Sequence, residues 1–219
     1  MSQAPAQQAV VHIVDDDEAV RDSLAFLLES AGHAVAAYPG AGAFLAAGVL
    51  AGPGCLVADI RMPEMDGLAL QERLNALGST LPVVIVTGHG DVPLAVRAMK
   101  AGAVDFVEKP FSEEAILDAV GRALERSLAA PAPDTGLGPA PQPAADPALA
   151  ERVAALTPRE REVLEALVAG HPNKVIAHLL GISARTVEIH RARVMDKMQA
   201  RSLSQLVRDA LAAGVAGRA

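Results

Sequence analysis

Six prolines and two glycines fall between Ala129 and Ala148. Proline lacks an amide hydrogen and has a fixed φ, so no helix or strand runs on through such a stretch. Residues 129–150 read as a semi-extended linker between a domain at 8–128 and a smaller one at 151–219. The two sides differ in charge. Residues 1–130 carry 8 Lys/Arg against 17 Asp/Glu, residues 131–150 carry 0 against 2, and residues 151–219 carry 11 against 7. An acidic side and a basic side imply different partners, with nucleic acid the natural one for the basic side. No run is long and apolar enough to span a bilayer. The start, Met1–Ala9, lacks the basic and apolar regions of a signal peptide. The single cysteine, Cys55, has no intrachain partner and reads as a small hydrophobe beside Leu56 and Val57. These features favour the cytoplasm.

The acidic side alternates apolar runs with helical patterns. Strands are expected at 10–14, 34–38, 54–59, 83–87 and 104–107. Helices are expected at 18–31, 41–47, 68–77, 92–101 and from a Ser112 cap to about 128. Strict alternation implies an α/β fold, a five-stranded parallel sheet covered on both faces. All strand ends of such a sheet share one rim, where ligands bind. The first strand ends in Asp15 and Asp16, the third in Asp59, the fourth in Thr87 and the fifth in Lys109. Three carboxylates together repel and call for a cation, and oxygen ligands at a small site suit Mg²⁺. Lys109 can hold a phosphate oxygen and Thr87 can hydrogen-bond one. The implied chemistry is phosphoryl transfer onto a carboxylate.

Residues 10–128 resemble a response-regulator receiver domain. The resemblance is carried by Val14-Asp15-Asp16-Asp17, Asp59-Ile60-Arg61-Met62-Pro63, Thr87-Gly88-His89 and Glu108-Lys109-Pro110-Phe111. It is strongest to the FixJ type, through Thr87 to Pro93 and Ala98 to Phe106. The resemblance implies that a sensor histidine kinase phosphorylates Asp59. It also implies that Asp15, Asp16, Asp59 and the backbone carbonyl of Arg61 serve Mg²⁺, and that Thr87 and Phe106 form the switch, Phe106 turning inward. It makes the face bearing Arg97, Lys100, Asp105 and Glu108 a dimer surface, although mixed charges also suit a plain solvated face.

The basic side reads as short helices. Asp146-Pro147 can start one, and Thr157-Pro158-Arg159-Glu160 is a capping box opening 158–169. Helix 173–180, the turn Gly181-Ile182-Ser183 and helix 184–198 form a helix-turn-helix unit, whose second helix enters the major groove. A last helix follows at 203–213. Arg185, Glu188, Ile189 and Ala192 fall on one stripe of the second helix. There Glu188 can accept from cytosine N4, and Ile189 or Ala192 can touch a thymine methyl. Lys174, Arg191, Arg193 and Lys197 suit phosphates. This side resembles the LuxR/NarL output domain through Leu156 to Leu164, Asn173 to Ala177 and Thr186 to Met195. That resemblance adds Ser183 and Thr186 to the expected DNA contacts and implies binding as a dimer.

Together the two resemblances imply a transcriptional response regulator. Its expected partners are a histidine kinase, double-stranded promoter DNA, RNA polymerase and a second copy of itself when phosphorylated. Two rivals remain at this point. A phosphohydrolase working through an aspartyl-phosphate commonly carries a second acid two residues after the nucleophile, where this chain has Arg61. A phosphorylation-independent DNA-binding module would leave the complete rim set without a use.

Overall fold

The computed structural model describes residues 8–88, 92–129 and 147–215. His89, Gly90, Asp91 and Asp146 lie outside them. The described residues form two compact units, one of residues 8–88 and 100–129, the other of 147–215 together with 92–99. By sequence alone residues 92–99 were expected with the first unit.

Five strands make the first unit: β1 (Val10–Val14), β2 (Ala34–Tyr38), β3 (Gly54–Asp59), β4 (Val83–Thr87) and β5 (Asp105–Glu108). They pair in parallel in the order β2-β1-β3-β4-β5. Their helices are α1 (Glu18–Ser30), α2 (Ala41–Ala46), α3 (Gly67–Ala76) and α5 (Glu113–Ala129), with α4 (Val92–Lys100) between β4 and β5 in the chain. The α/β expectation therefore holds. The helix bounds fall within a residue or two of those expected, as fraying ends do. Strand β5 runs one residue later than expected, and Val104 N donates to Val83 O at 2.8 Å just before it.

The apolar runs of β1, β3, β4 and β5 become strands buried on both faces, while the edge strand β2 stays partly exposed. Ile13, Leu24, Leu28, Val57, Val84, Ile116 and Val120 form one continuous core. Cys55 belongs to it, and burial pushes its thiol up to about 12. His12 is buried against Tyr38 and Phe44, with Nδ1 3.3 Å from the Tyr38 hydroxyl, and burial lowers its pKa.

This strand order creates the site. The chain leaves β1 toward β2 on one side and resumes at β3 on the other. In open α/β sheets ligands bind in the crevice outside the carboxyl ends of the two strands flanking that reversal. Asp15 follows β1 and Asp59 ends β3. The loop after β3 folds straight back, with Gly67 donating its amide to Ile60 O at 3.1 Å. A Cβ on Gly67 would sit 2.3 Å from Asp59 O.

The second unit holds α6 (Pro147–Ala154), α7 (Pro158–Val168), α8 (Asn173–Leu180), α9 (Ala184–Met198) and α10 (Leu203–Ala212). The capping box is formed in both directions: Glu160 N donates to Thr157 Oγ1 at 3.3 Å, and Thr157 N donates to Glu160 Oε2 at 2.9 Å. Gly181 ends α8 in the left-handed conformation, φ 65°, and Ser183 Oγ caps α9. Val163, Leu164, Leu167, Ile176, Val187, Val194 and Met198 pack inside.

Two glycines give opposite predictions in denaturant melts of the full chain. Gly67→Ala forces a methyl onto the Asp59 carbonyl and is expected to destabilise by roughly 1–3 kcal/mol. Gly121→Ala, inside α5 with open space around it, is expected to stabilise by roughly 0.5–1 kcal/mol.

Candidate functional site

At the crevice, the Lys109 ammonium donates to Asp59 Oδ1 at 2.7 Å and to Asp15 Oδ2 at 2.9 Å. Both carboxylates are buried. Their remaining oxygens are held by backbone amides: Arg61 N donates to Asp59 Oδ2 at 2.7 Å, and Asp17 N to Asp15 Oδ1 at 2.9 Å. Lys109 reaches the crevice because its own amide is tied to Thr87 O at 2.7 Å, continuing the β4–β5 ladder to the rim. Burial raises the Asp59 pKa, with Asp15 adding to the rise, and the Lys109 bond and the Arg61 amide only partly offset it. Burial also acts to lower Lys109, but the two carboxylates outweigh it and its pKa is raised. The centre is thus an ion triad in which Asp59 is a stronger base than an ordinary carboxylate.

The donors suit Mg²⁺. They are oxygens only, and Mg²⁺ takes one or two carboxylates and keeps several waters. Among the described residues no three Asp, Glu, His or Cys side chains are gathered into a metal cage. Asp15 and Asp59 are brought together, while Asp16 is exposed on the same loop. Arg61 is at the site through its backbone.

Other expected residues sit differently. Thr87 is buried, and its hydroxyl donates to Gly88 O at 3.3 Å. Phe106 was expected to turn inward, but at 4% exposure it is already inside, among the buried residues of β5. Asp105 was expected on a charged outer face, but it is fully buried. There Arg122 on α5 pairs with it, and its Oδ1 accepts the Phe106 amide. A charge inside the sheet must be paired, and α5 supplies the partner. Arg97 and Lys100 are exposed and Glu108 half-buried.

In the second unit, α9 buries Val187, Val194 and Met198 and exposes Arg185, Glu188, Ile189, Ala192 and Arg193 on its other side. Ile189 is 47% exposed, an apolar group facing water on an otherwise charged stripe. Arg191 is half-buried and Lys174 exposed. Ser183 and Thr186 bond each other, Oγ to Oγ1 at 2.8 Å, in the cap of α9. Lys197 was expected as a phosphate contact. Instead it bonds Glu160 Oε2 at 2.6 Å and Ala155 O at 3.3 Å, tying the end of α9 to the start of α7.

Two residues escaped the sequence reading. Arg122 carries no signal of its own, since its partner is distant in the chain. Arg21 does: it is a cation in the first turns of a helix, where the dipole disfavours it. Its Nη1 donates to Asp15 O at 2.8 Å and Asp16 O at 3.0 Å.

Comparison with known proteins finds two families along the chain, the first of them running through residues 92–99. The family described as "Response regulator receiver domain" matches residues 11–121. "Bacterial regulatory proteins, luxR family" matches residues 154–210. The chain belongs to the two-component response regulators that join a receiver domain to a LuxR-family helix-turn-helix DNA-binding domain. Within that class its likeness is to FixJ. It is 55% identical over 206 residues to the transcriptional regulatory protein FixJ of Azorhizobium caulinodans, covering 94% of this chain and 93% of that one. It is 45% identical over 200 residues to the tetrathionate response regulatory protein TtrR of Salmonella typhimurium, covering 91% of each. Full-length FixJ from B. japonicum, in a crystal structure, matches with a TM-score of 0.52 and 48% identity over 94% of this chain and 97% of that one. Among the described residues no helix is long and apolar enough to cross a membrane.

The Glu160 pairing sets a pH dependence. Lys197, then the Thr157 amide, hold the Glu160 carboxyl at about 2. A depressed carboxylate stabilises the fold above its unfolded pKa, about 4.3, and that stabilisation is lost as pH falls through about 2. Glu160→Gln is expected to lower the stability of the second unit by roughly 1–2 kcal/mol at pH 7, Lys197 being partly solvated. In denaturant melts of the full chain the difference should shrink steadily between pH 4 and pH 2.

Proposed function

We propose that Asp59 is the phosphoryl acceptor of a switch that controls DNA binding by the second unit. The observation that carries this is the Lys109 bridge between two buried carboxylates in the crevice between β1 and β3. A partner histidine kinase supplies the phosphoryl group. An Asp59 carboxylate oxygen forms the new bond to phosphorus as the bond from phosphorus to the donor nitrogen breaks. Asp15, Asp16, Asp59 and the Arg61 carbonyl would hold Mg²⁺, which would supply neutralisation of the phosphoryl charge. Lys109 exchanges part of its carboxylate pairing for a phosphoryl oxygen, and Thr87 turns its hydroxyl from Gly88 O to another.

The readout is a change of assembly. Phosphorylation adds negative charge and acceptor oxygens at one rim. Repacking around Thr87 and Phe106 drives the receiver, residues 8–128, to dimerise, with Arg97, Lys100 and Glu108 as surface charges for that contact. Paired second units then bind two half-sites of promoter DNA and act with RNA polymerase. The working division is a receiver at 8–128, a linker at 129–150 and an output domain at 151–219, in a cytoplasmic protein.

Acetyl phosphate with Mg²⁺ tests the acceptor by intact mass. The wild-type chain is expected to gain one phosphoryl group and Asp59→Asn none; equal gain by the variant contradicts the assignment. In DNA titrations, Arg193→Ala should weaken binding about equally for all sequences and lower the salt slope by about one. Glu188→Ala should instead relax preference at one base pair, by about 1–3 kcal/mol. If the two variants behave alike, the division of α9 into phosphate and base contacts is wrong.

A further inference from the structure

Four acids in succession, Asp15 to Glu18, make the loop after β1 repel itself. Asp17 shapes it from within in two ways: its N donates to Asp15 Oδ1, and its Oδ1 accepts from Ala19 N at 2.9 Å and Val20 N at 3.3 Å to cap α1. A third element comes from outside the acidic run. Arg21 reaches back from α1 and donates from a single nitrogen, Nη1, to the carbonyls of both Asp15 and Asp16. It binds carbonyls rather than carboxylates. Two successive peptide planes are thereby turned toward one donor, which leaves the loop little freedom. The charge of Arg21 also offsets that of the acids without occupying their oxygens.

We propose that Arg21 is a positioning residue for the divalent-cation site. It orders the loop so that Asp15 points into the crevice and Asp16 is presented beside it. The inference rests on the Mg²⁺ reading above. Groups that orient metal ligands typically account for 10–100-fold in affinity.

The test is calorimetric titration of MgCl₂ into the full chain as wild type, Arg21→Ala and Arg21→Lys. Arg21→Ala is expected to raise the Mg²⁺ Kd roughly ten-fold or more. Arg21→Lys, whose single ammonium can serve both carbonyls, should recover most of that loss. Phosphorylation by acetyl phosphate should show the same split: a higher half-saturating Mg²⁺ concentration in Arg21→Ala with a near-normal rate at saturation. Should Arg21→Ala not fold, Arg21→Met keeps the aliphatic stem and removes the donor. A wild-type Kd in the folded Ala or Met variant overturns the role of Arg21 alone. Absence of Mg²⁺ binding by the wild type overturns the metal reading and this inference with it.

Discussion

The Lys109 ammonium lies within hydrogen-bonding distance of two carboxylates that the sheet buries, and the rest of the first unit exists to keep it there. Removing Asp15 and Asp59 from water is unfavourable, and only a close cation with backbone donors on the remaining oxygens offsets it. The strand order places one acid on each side of the reversal between β1 and β3. Gly67 lets the β3–α3 loop pass directly against the Asp59 carbonyl, and the ladder from Thr87 carries Lys109 in from the far edge. The compensation is incomplete, because burial still leaves Asp59 with a raised pKa. That residual imbalance suits a carboxylate whose proposed task is to react rather than to stabilise.

The second unit uses a pair of the same kind for a different end. Glu160 accepts the Thr157 amide in its capping box and also holds Lys197, so one carboxylate joins the start of α7 to the end of α9. The exposed stripe of α9 is thereby fixed relative to the core that presents it. A helix proposed to read bases gains from such support, because its side chains must be presented at a fixed angle.

Much of this was legible in the chain. Strand ends could be read because apolar runs stop at acids, at Thr87 or at Lys109, and in a parallel sheet those ends must meet. The helix-turn-helix was legible because Thr157, Gly181 and Ser183 are local punctuation. Partners distant in sequence were not. The charge of Asp105 pointed to the surface, but β5 is covered on both faces, and Asp105 lies buried against Arg122. Lys197 read as a free cation because Glu160 is 37 residues away. Phe106, which the resemblance has turning inward in the switch, is already packed in β5. Arg21 was overlooked because its bonds go to carbonyls, which no side-chain pattern announces.

The proposed switch couples charge at Asp59 to DNA binding in the other unit. Fluorescence-anisotropy titration of the full chain onto a selected duplex, at one fixed salt concentration, measures that coupling directly. It should be run on the unmodified protein and on protein confirmed to be fully phosphorylated. The account predicts affinity tighter by roughly five- to a hundred-fold for the phosphorylated form, the usual range of such coupling. Identical affinities at full phosphorylation would contradict it.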